Sequence, residues 1–349
     1  MTQASTIHDV ATAAGVSPAT VSRFLKGEHV RAHSSIEAAI AELGFRPRPA
    51  ARSLKSGVTH SVAVVVPDVT NPFFAAVVKG VESISRQDAY NIFLYNTEES
   101  PDREASILGD LYGRVDGVIL APADESEANE RRLVDTGIPI VMLDREVGSD
   151  GGFDSVLVDS EGGARQAADY LLGLGHQRIG VISGPLETTP GRSRHAGFLG
   201  GMESAGIEPD PALVQLGDFR EDGGYQATLR LLALESAPTG LFVANNLMTV
   251  GALRALHDMR VRVPHEVSIV GFDDLQLAEL LSPPLTVIDR PMEAQGALAM
   301  RLLLNRLDGR SETPRRIVLD TRLVIRESCA APPRGPGADS SPNGRKRTA

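Results

Sequence analysis

The chain has 349 residues, of which 42% are hydrophobic and 23% charged, so it is long enough for two or three packed domains. Its single cysteine, Cys329, cannot form a disulfide within the chain. No amino-terminal stretch combines basic residues, an apolar core and a small-residue cleavage site, so we expect a reducing, cytoplasmic location. Apolar runs such as residues 62–67 fall far short of the roughly 18 residues that cross a bilayer, which excludes membrane spanning.

The formal net charge of -10 is unevenly distributed along the chain. Residues 1–60 contain seven Lys and Arg against four Asp and Glu, a net charge of +3, whereas the remaining 289 residues carry 28 basic and 41 acidic side chains, a net charge of -13. A basic head can contact phosphates while an acidic body stays away from the duplex. The charge pattern therefore favours nucleic-acid binding by the head alone.

Three short helices are predicted in residues 1–45, and together they indicate an all-α helix-turn-helix head. Thr6 and Ser17 are suited to cap the first two helices, and Pro18 fits the first turn of the second. Gly15 suits a left-handed end of the first helix, and the third helix also stops at a glycine. Two helices joined by a tight glycine turn are typical of a DNA-binding helix-turn-helix unit.

Residues 46–60 are predicted to be a hinge and linker. Alternating arginine and proline at 46–49 favours an extended link, and residues 50–55 are a six-residue helix candidate. A helix this short is not stable alone, so it needs a partner to fold.

From residue 61 onward, β-rich runs alternate with helical periods, which predicts parallel sheets joined by crossover helices. Nine strands exceed one comfortable core, so we predict an α/β body of two subdomains with late crossovers near residues 289–291 and 319–321. Because open parallel sheets bind ligands at the carboxyl ends of their strands, the cleft between the subdomains is the expected site. The predicted strands are 62–66, 92–95, 117–121, 138–143, 156–158, 179–183, 213–216, 240–244 and 267–272.

The predicted body divides into an N-subdomain and a C-subdomain that each take two stretches of chain. The N-subdomain comprises 61–160 and 291–319, and the C-subdomain comprises 161–290 and 320–330. Residues 331–349 consist of Pro, Gly, Ser and Arg with almost nothing apolar, so this tail is expected to be disordered.

Several motifs closely resemble those of the LacI/GalR family of bacterial transcription regulators. They are TIHDVATAAGVSPATVSR at 6–23, GFRPRPAARSLKSG at 44–57, NPFF at 71–74, VANN at 243–246 and GFDD at 271–274. The resemblance covers about residues 5–328. It implies a homodimeric, sequence-specific regulator, usually a repressor, with a body like that of periplasmic sugar-binding proteins. Its partners would be palindromic double-stranded operator DNA and a small-molecule effector, most simply a carbohydrate.

The second helix is the predicted recognition helix, because its amino end offers free amide groups to phosphate. Pro18 and Ala19 suit thymine methyl groups, and Arg23 suits a bidentate contact with guanine. Thr20, Ser22 and the capping Ser17 suit phosphates. The alternative is that these residues are only the surface of a helical bundle. Between residues 27 and 44 the chain is about two residues shorter than the family pattern, so the usual phosphate contact there is not carried over.

The resemblance also implies roles for three hinge residues. Leu54 would be wedged into a central base step from the minor groove, Ala51 would line a pair of hinge helices, and Lys55 would lie near the DNA backbone. The alternative is an ordinary linker leucine packed on the body.

Eight effector-binding residues are implied in the same way. Carboxylates accept hydrogen bonds from sugar hydroxyls, Arg donates, Asn does both, and an aromatic face holds a ring. Phe73 is preferred over Phe74, which suits the core equally well, and the family's usual Asp after Asn245 is here Asn246. Each residue could instead serve as an ion pair or a helix cap. The eight are Asn71, Phe73, Asp144, Arg145, Arg194, Phe219, Asn245 and Asp273.

Other classes of function find little support in the sequence. There is no G-x-S-x-G, H-E-x-x-H or G-x-x-x-x-G-K-[ST] motif, and the eight histidines show no paired metal spacing. We therefore predict no enzyme, no metal and no cofactor. The rivals are a solute-binding protein, which the basic head argues against, and a sugar-metabolising enzyme, which lacks catalytic groups. Within the regulator class, a purine or a partner protein remains an alternative effector.

Overall fold

The structure is a computed structural model in which two compact units, Met1–Thr59 and His60–Ala349, are described separately. The predicted hinge helix at 50–55, with Ala51, Leu54 and Lys55, lies outside the described residues, as does most of the predicted disordered tail. The described residues are 5–45, 58–148, 152–275, 277–310 and 313–333.

The first unit contains three helices, α1 (Ile7–Ala13), α2 (Pro18–Leu25) and α3 (His33–Leu43). The predicted caps are confirmed, because Thr6 and Ser17 each accept a hydrogen bond from a backbone N–H of the helix that follows. The two predicted glycine turns have positive φ angles, 66° before α2 and 58° after α3. A small core in which one valine of α1, one of α2 and one isoleucine of α3 are fully buried holds the helices together.

The second unit contains two six-stranded sheets, and the sheet with its flanking helices is here called a lobe. In the first lobe all strand pairs are parallel, in the order β11-β5-β4-β3-β1-β2. Its strands are β1 (Ser61–Val66), β2 (Asn91–Asn96), β3 (Gly117–Leu120), β4 (Ile140–Leu143), β5 (Asp154–Val158) and β11 (Arg316–Leu319). Its helices are α4 (Pro72–Ser85), α5 (Pro101–Leu111), α6 (Glu127–Asp135) and α11 (Met292–Leu307).

The second lobe has the strand order β12-β10-β9-β8-β6-β7. Its strands are β6 (Ile179–Ser183), β7 (Val214–Leu216), β8 (Gly240–Val243), β9 (Ser268–Phe272), β10 (Thr286–Asp289) and β12 (Arg322–Val324). Its helices are α7 (Ser160–Gly173), α8 (Thr189–Ser204), α9 (Glu221–Leu232) and α10 (Asn246–Asp258), with a 3-10 turn at Pro211–Leu213 before β7. The predicted class, an all-α head and an α/β body with two sheets, is confirmed.

One strand departs from the expected parallel arrangement: β12 runs antiparallel to β10. Parallel strands of both sheets end at the cleft, and only two residues separate the end of β11 from the start of β12. The chain therefore enters the second sheet from the cleft side, and β12 must run away from the cleft. The chain passes between the lobes after β10 and again after β11, and strands β10, β11 and β12 beside these passages were not predicted.

The four central strands of the first sheet, β1, β3, β4 and β5, are buried on both faces, as a parallel sheet between helices requires. Alternate residues of β1 divide between two apolar clusters: Val62, Val64 and Val66 pack with α4 and α11, whereas Ala63 and Val65 lie in the cluster beneath α5. A third cluster forms the core of the second lobe. No helix among the described residues is long and apolar enough to cross a bilayer.

Candidate functional site

The six predicted DNA contacts on the head lie at the start and along the outer surface of α2. Ser17, Ala19 and Arg23 are exposed, and the other three are half-buried. The Ser17 hydroxyl accepts from the Thr20 N–H, and Arg23 forms an exposed ion pair with Glu28, 2.7 Å between Nε and Oε2. This ion pair was not predicted, and it engages Nε of the Arg23 guanidinium. The DNA contacts themselves remain predictions.

In the second unit, a cavity of about 40 Å³ lies between the two lobes, at the carboxyl ends of their strands. All eight residues predicted to bind effector line this cavity, so the structure brings the whole set together. Seven further lining residues were not predicted. They are Asp68, Phe74, Glu99, Pro190, Asp218, Arg220 and Arg290.

Two of the predicted carboxylates occupy equivalent places in the two lobes. Asp144 directly follows β4 and Asp273 directly follows β9, with φ angles of 64° and 72°. A left-handed conformation is uncommon for residues other than glycine and often marks a functional position. Each residue still donates its N–H to a neighbouring strand residue, Val156 and Ile288, at 3.1 and 2.8 Å. The backbone thus turns at the strand end while one ladder bond is kept.

Arg290 joins these two carboxylates and is the main residue that the sequence analysis missed. It follows β10 at the crossover and is almost fully buried. Its Nη1 lies 2.5 Å from Asp144 Oδ1, and its Nε lies 2.6 Å from Asp273 Oδ1. Its guanidinium carbon also lies 3.6 Å from the centre of the Phe73 ring. The available signal was an arginine directly after an apolar strand, at a predicted crossover.

Arg194 lies deepest among the cleft cations, with 1% of its surface exposed. Its Nη1 donates to Ala244 O at 2.6 Å and its Nε to Ser160 Oγ at 3.3 Å. Its guanidinium carbon lies 3.8 Å from the centre of the Phe272 ring, and Asp273 Oδ2 is 3.9 Å from Nη1. Nη2 is buried and has no hydrogen-bond partner. Arg194 is thus fixed in place with one unused donor at a cavity wall.

The charged forms of these groups depend on one another. Burial acts to raise the pKa of Asp144, but the nearby guanidinium groups, that of Arg290 foremost, outweigh burial and hold this pKa below its usual value. Burial acts to lower the pKa of Arg290, but the carboxylates of Asp144 and Asp273 outweigh burial and raise this pKa. Burial lowers the pKa of Arg194 to about 10, so all three groups remain charged near neutrality.

Arg145 is paired with Glu99 through both Nη atoms, whereas its buried Nε has no hydrogen-bond partner. Both Nη atoms donate to the Glu99 carboxylate at 2.7 Å, and Nη1 also donates to Pro122 O at 3.0 Å. Glu99 has a φ of 58°, so this pair fixes an uncommon backbone conformation at the cavity wall. Arg145 therefore forms an ion pair at the cavity wall, and its role in effector binding stays a prediction.

The remaining predicted residues also have structural partners. Asn245 caps α10, accepting from Met248 N at 2.9 Å, and it donates to Phe219 O at 3.0 Å. Asn71 caps α4 and accepts from Asn246 Nδ2 at 2.8 Å, which joins the two lobes. Phe219 is half-buried with a φ of 62°.

The predicted preference for Phe73 over Phe74 finds no support in burial. Phe73 and Phe74 are 2% and 6% exposed, and both line the cavity and belong to the core. One face of Phe73 is covered by Arg290.

A second set of contacts, here called the latch, joins the lobes away from the carboxylates. Thr189, at the start of α8, donates its N–H and its hydroxyl to Glu125 at 2.6 and 2.8 Å, and its hydroxyl accepts from Glu146 N at 3.2 Å. Arg192 Nη2 also lies 2.9 Å from Glu125. Burial raises the pKa of Glu125. The latch was not predicted, because the residues that bond across the cleft are 43 or more positions apart in the chain.

No group of three or more His, Cys, Asp or Glu in the described part of the chain is arranged to hold a metal ion. The groups of the cleft that can bind a ligand are its hydrogen-bonding side chains and its aromatic rings. Around one small cavity they combine fixed carboxylates, guanidinium donors and aromatic rings, a combination suited to binding and positioning a polar molecule.

Two stretches of the chain match known family models. Residues 6–48 match bacterial regulatory proteins of the lacI family, and residues 168–329 match a periplasmic binding protein-like domain. The chain is 35% identical over 330 residues to the ribose operon repressor of Escherichia coli K12, covering 93% of this chain and 99% of the relative. It is also 35% identical to the HTH-type transcriptional repressor PurR of Pasteurella multocida, covering 93% and 98%. A structure of the lac repressor dimer bound to operator and the anti-inducer ONPF superposes with a TM-score of 0.84 at 27% identity, covering 94% of this chain and all of that one.

Proposed function

Because the chain belongs to the LacI family of bacterial regulatory proteins, we propose that a neutral sugar bound in the cleft between the lobes controls its affinity for an operator. The chain is a sequence-specific DNA-binding transcription regulator rather than an enzyme, and its relatives include the ribose operon repressor and the repressor PurR. A protein that acts on bacterial operator DNA is expected to act in the cytoplasm. The residues of the cleft favour a sugar as the effector.

The observation that carries the sugar is the balance of charge around the cavity. The paired cations Arg145, Arg194 and Arg290 face the carboxylates of Glu99, Asp144 and Asp273, and the more exposed Asp68, Asp218 and Arg220 bring the formal charge of the cavity lining to -1. An anionic ligand would add a further negative charge to this lining, whether or not Arg290 stays in place, which is costly. A neutral polyol instead supplies hydroxyls that accept from Arg194 Nη2 and donate to carboxylate oxygens. The charge balance therefore favours a neutral sugar over a sugar acid or phosphate.

A purine is the second candidate, favoured by the PurR relatives and by the aromatic rings in the cavity wall. The aromatic surface is limited, however, since Arg290 covers one face of Phe73. Phe219 is then the ring best placed to stack on a ligand. This arrangement supports a ring held mainly by hydroxyl contacts.

A ligand panel on the full-length protein tests the proposal. Neutral sugars, sugar acids and purines are compared by thermal shift and by release of operator DNA, measured as fluorescence anisotropy. At a ligand concentration of 100 times Kd, the expected stabilisation is about 2.7 kcal/mol. The matched control is Asp273→Asn, which keeps the shape of the side chain but removes one counter-charge and one acceptor oxygen. If only charged compounds or purines stabilise the protein and release operator DNA, the proposal of a neutral sugar effector is wrong.

We also propose that the chain works as a homodimer on a palindromic operator. Phe93 and Leu94 on the edge strand β2 are 46% and 47% exposed, and Leu277 and Leu280 are 63% and 79% exposed. Exposed apolar side chains on a sheet edge favour pairing with another surface. Leu280→Asp should shift sedimentation toward the monomer and weaken operator binding together. A dimer unchanged by this substitution would leave the segment around Leu280 outside the interface.

A further inference from the structure

Arg290 occupies the place in the cleft where a ligand is expected to bind. It contacts one carboxylate from each lobe, Asp144 and Asp273, and its planar guanidinium lies over Phe73. These are the contacts that a sugar ring is proposed to make, with hydroxyls on two carboxylates and a ring face on an aromatic. With Arg290 in this position, the cavity measures about 40 Å³, room for only one or two water molecules.

We propose that Arg290 is a tethered occupant of the effector position, which holds the lobes together and must leave when the effector binds. This inference rests on the proposed function for the nature of the effector, but not for the bridge between the lobes. It makes Arg290 a specificity-determining residue, because only a ligand that replaces its contacts with both carboxylates can displace it.

The geometry of the Arg290 contacts favours such an exchange. Arg290 Nε and Asp273 Oδ1 are 2.6 Å apart, yet neither atom has a hydrogen bond of acceptable alignment. Charge attraction therefore holds the pair while the directional bond is unmade. A ligand hydroxyl is free to align with Asp273 and can satisfy it better than the constrained guanidinium does.

The position of Arg290 in the chain links this exchange to the movement of the lobes. It lies between β10 of the second lobe and α11 of the first, so its displacement acts on a connection between them. Among the described residues, its bond to Asp144 joins the lobes together with the Asn71–Asn246 bond and the latch. Releasing Arg290 should therefore loosen the closed arrangement without abolishing it.

Hydrogen exchange on the full-length protein tests the bridge without any ligand. The amides of Thr189 and Glu146 are the reporters, because in the described part of the chain each donates across the cleft, to Glu125 and to Thr189 respectively. Arg290→Gln should make both amides exchange at least threefold faster. The matched control is Arg322→Gln, which breaks an exposed ion pair with Asp289, on the strand just before Arg290, and should leave both rates unchanged. Unchanged rates in Arg290→Gln would overturn the proposal.

A second variant guards against loss of folding, since Arg290→Gln leaves two buried carboxylates with less counter-charge. Arg290→Gln combined with Asp144→Asn removes one of these charges and still lacks the bridge. It should show the same faster exchange at Thr189 and Glu146. Rates equal to those of the unmodified protein in this folded double variant would equally overturn the proposal.

Titration with D-ribose by calorimetry tests the displacement itself. Removal of a tethered competitor should lower the Kd at least tenfold in Arg290→Gln, with no change in Arg322→Gln. A higher Kd in Arg290→Gln would overturn the role of Arg290 as an occupant. If no variant binds D-ribose or any other neutral sugar, the proposed effector class fails, while the exchange measurement still decides the bridge.

Discussion

At the scale of single residues, Asp144 illustrates how the cleft keeps a buried carboxylate charged. Guanidinium groups, that of Arg290 first, outweigh the effect of burial and lower the pKa of Asp144 on folding. A carboxyl group with a lowered folded-state pKa stabilises the fold fully above its unfolded pKa, about 4. That stabilisation is lost as the pH falls through the lower, folded-state pKa.

Asp144→Asn should therefore remove part of the acid sensitivity of the fold. At pH 7 we expect a loss of roughly 3 to 5 kcal/mol in the free energy of unfolding, because the buried Arg290 loses a partner. Below pH 4 the difference between the variant and the unmodified protein should shrink. Urea unfolding over a pH series measures both effects, with the exposed Asp110→Asn as control. A constant difference across the series would contradict the lowered pKa of Asp144.

Arg23 is the residue on which base recognition by the head depends in this account. Arg23→Ala should reduce discrimination between operator and random DNA by about 1 to 3 kcal/mol, the range for one bidentate base contact, while sugar binding stays intact. Titration of both DNAs at one salt concentration measures this ratio of affinities. Lys26→Ala, on the neighbouring exposed position, is the control and should weaken both DNAs equally. An unchanged ratio in Arg23→Ala would remove Arg23 from base contact.

At the scale of elements, patterning predicted nine strands and missed β10, β11 and β12. Strand β1 is apolar except for Ser61 and buried on both faces, so its sequence sufficed. The edge strands β11 and β12 have four and three residues, each of which is exposed or half-buried. Such segments carry too few apolar residues to stand out from loops, because their pairing comes from sheets built elsewhere in the chain.

The packing of α4 on α11 gives a prediction at this scale. A Cβ atom at Gly80 would overlap the backbone carbonyl of Glu293, so the two helices approach closely just after Arg290. Gly80→Ala should therefore lower the free energy of unfolding by about 1 to 3 kcal/mol. Gly109→Ala on α5, where the added methyl meets open space, is the control and should raise it by up to about 1 kcal/mol. Urea unfolding compares the two, and equal effects would contradict the close packing.

At the scale of the whole molecule, the position of the cleft was predictable but its internal bonds were not. Parallel strands place their carboxyl ends together, and this rule alone puts Asp144 and Asp273 on facing walls. Their partner Arg290 is 146 residues from Asp144 along the chain, and the latch likewise joins Glu125 to Thr189 across 64 residues. No local pattern encodes such pairs, since they arise only when the two lobes face each other.

The latch and Arg290 both join the lobes, yet they should act in opposite directions on effector affinity. Glu125→Gln keeps the side-chain shape but removes the charge that faces Arg192 and one acceptor for Thr189. If a bond to a charged group stabilises the closed lobes by about 1.5 kcal/mol, the closed population falls about tenfold relative to the open one. The apparent Kd for the effector then rises in proportion to the lost closed population.

Comparing Glu125→Gln with Arg290→Gln distinguishes a contact that only holds the lobes together from a side chain that also occupies the effector position. Both variants should speed exchange at the Glu146 amide, but only Arg290→Gln also removes a competitor and so lowers the Kd. Calorimetry on each variant gives the sign, and Glu127→Gln, which alters an exposed pair with Arg131, is the control for charge. Because an effector changes operator affinity only through its different affinities for the two arrangements of the lobes, the Glu125 variant should also need more effector to release DNA. A Glu125→Gln protein that releases operator at the unmodified effector concentration would show that the latch plays no part in the response.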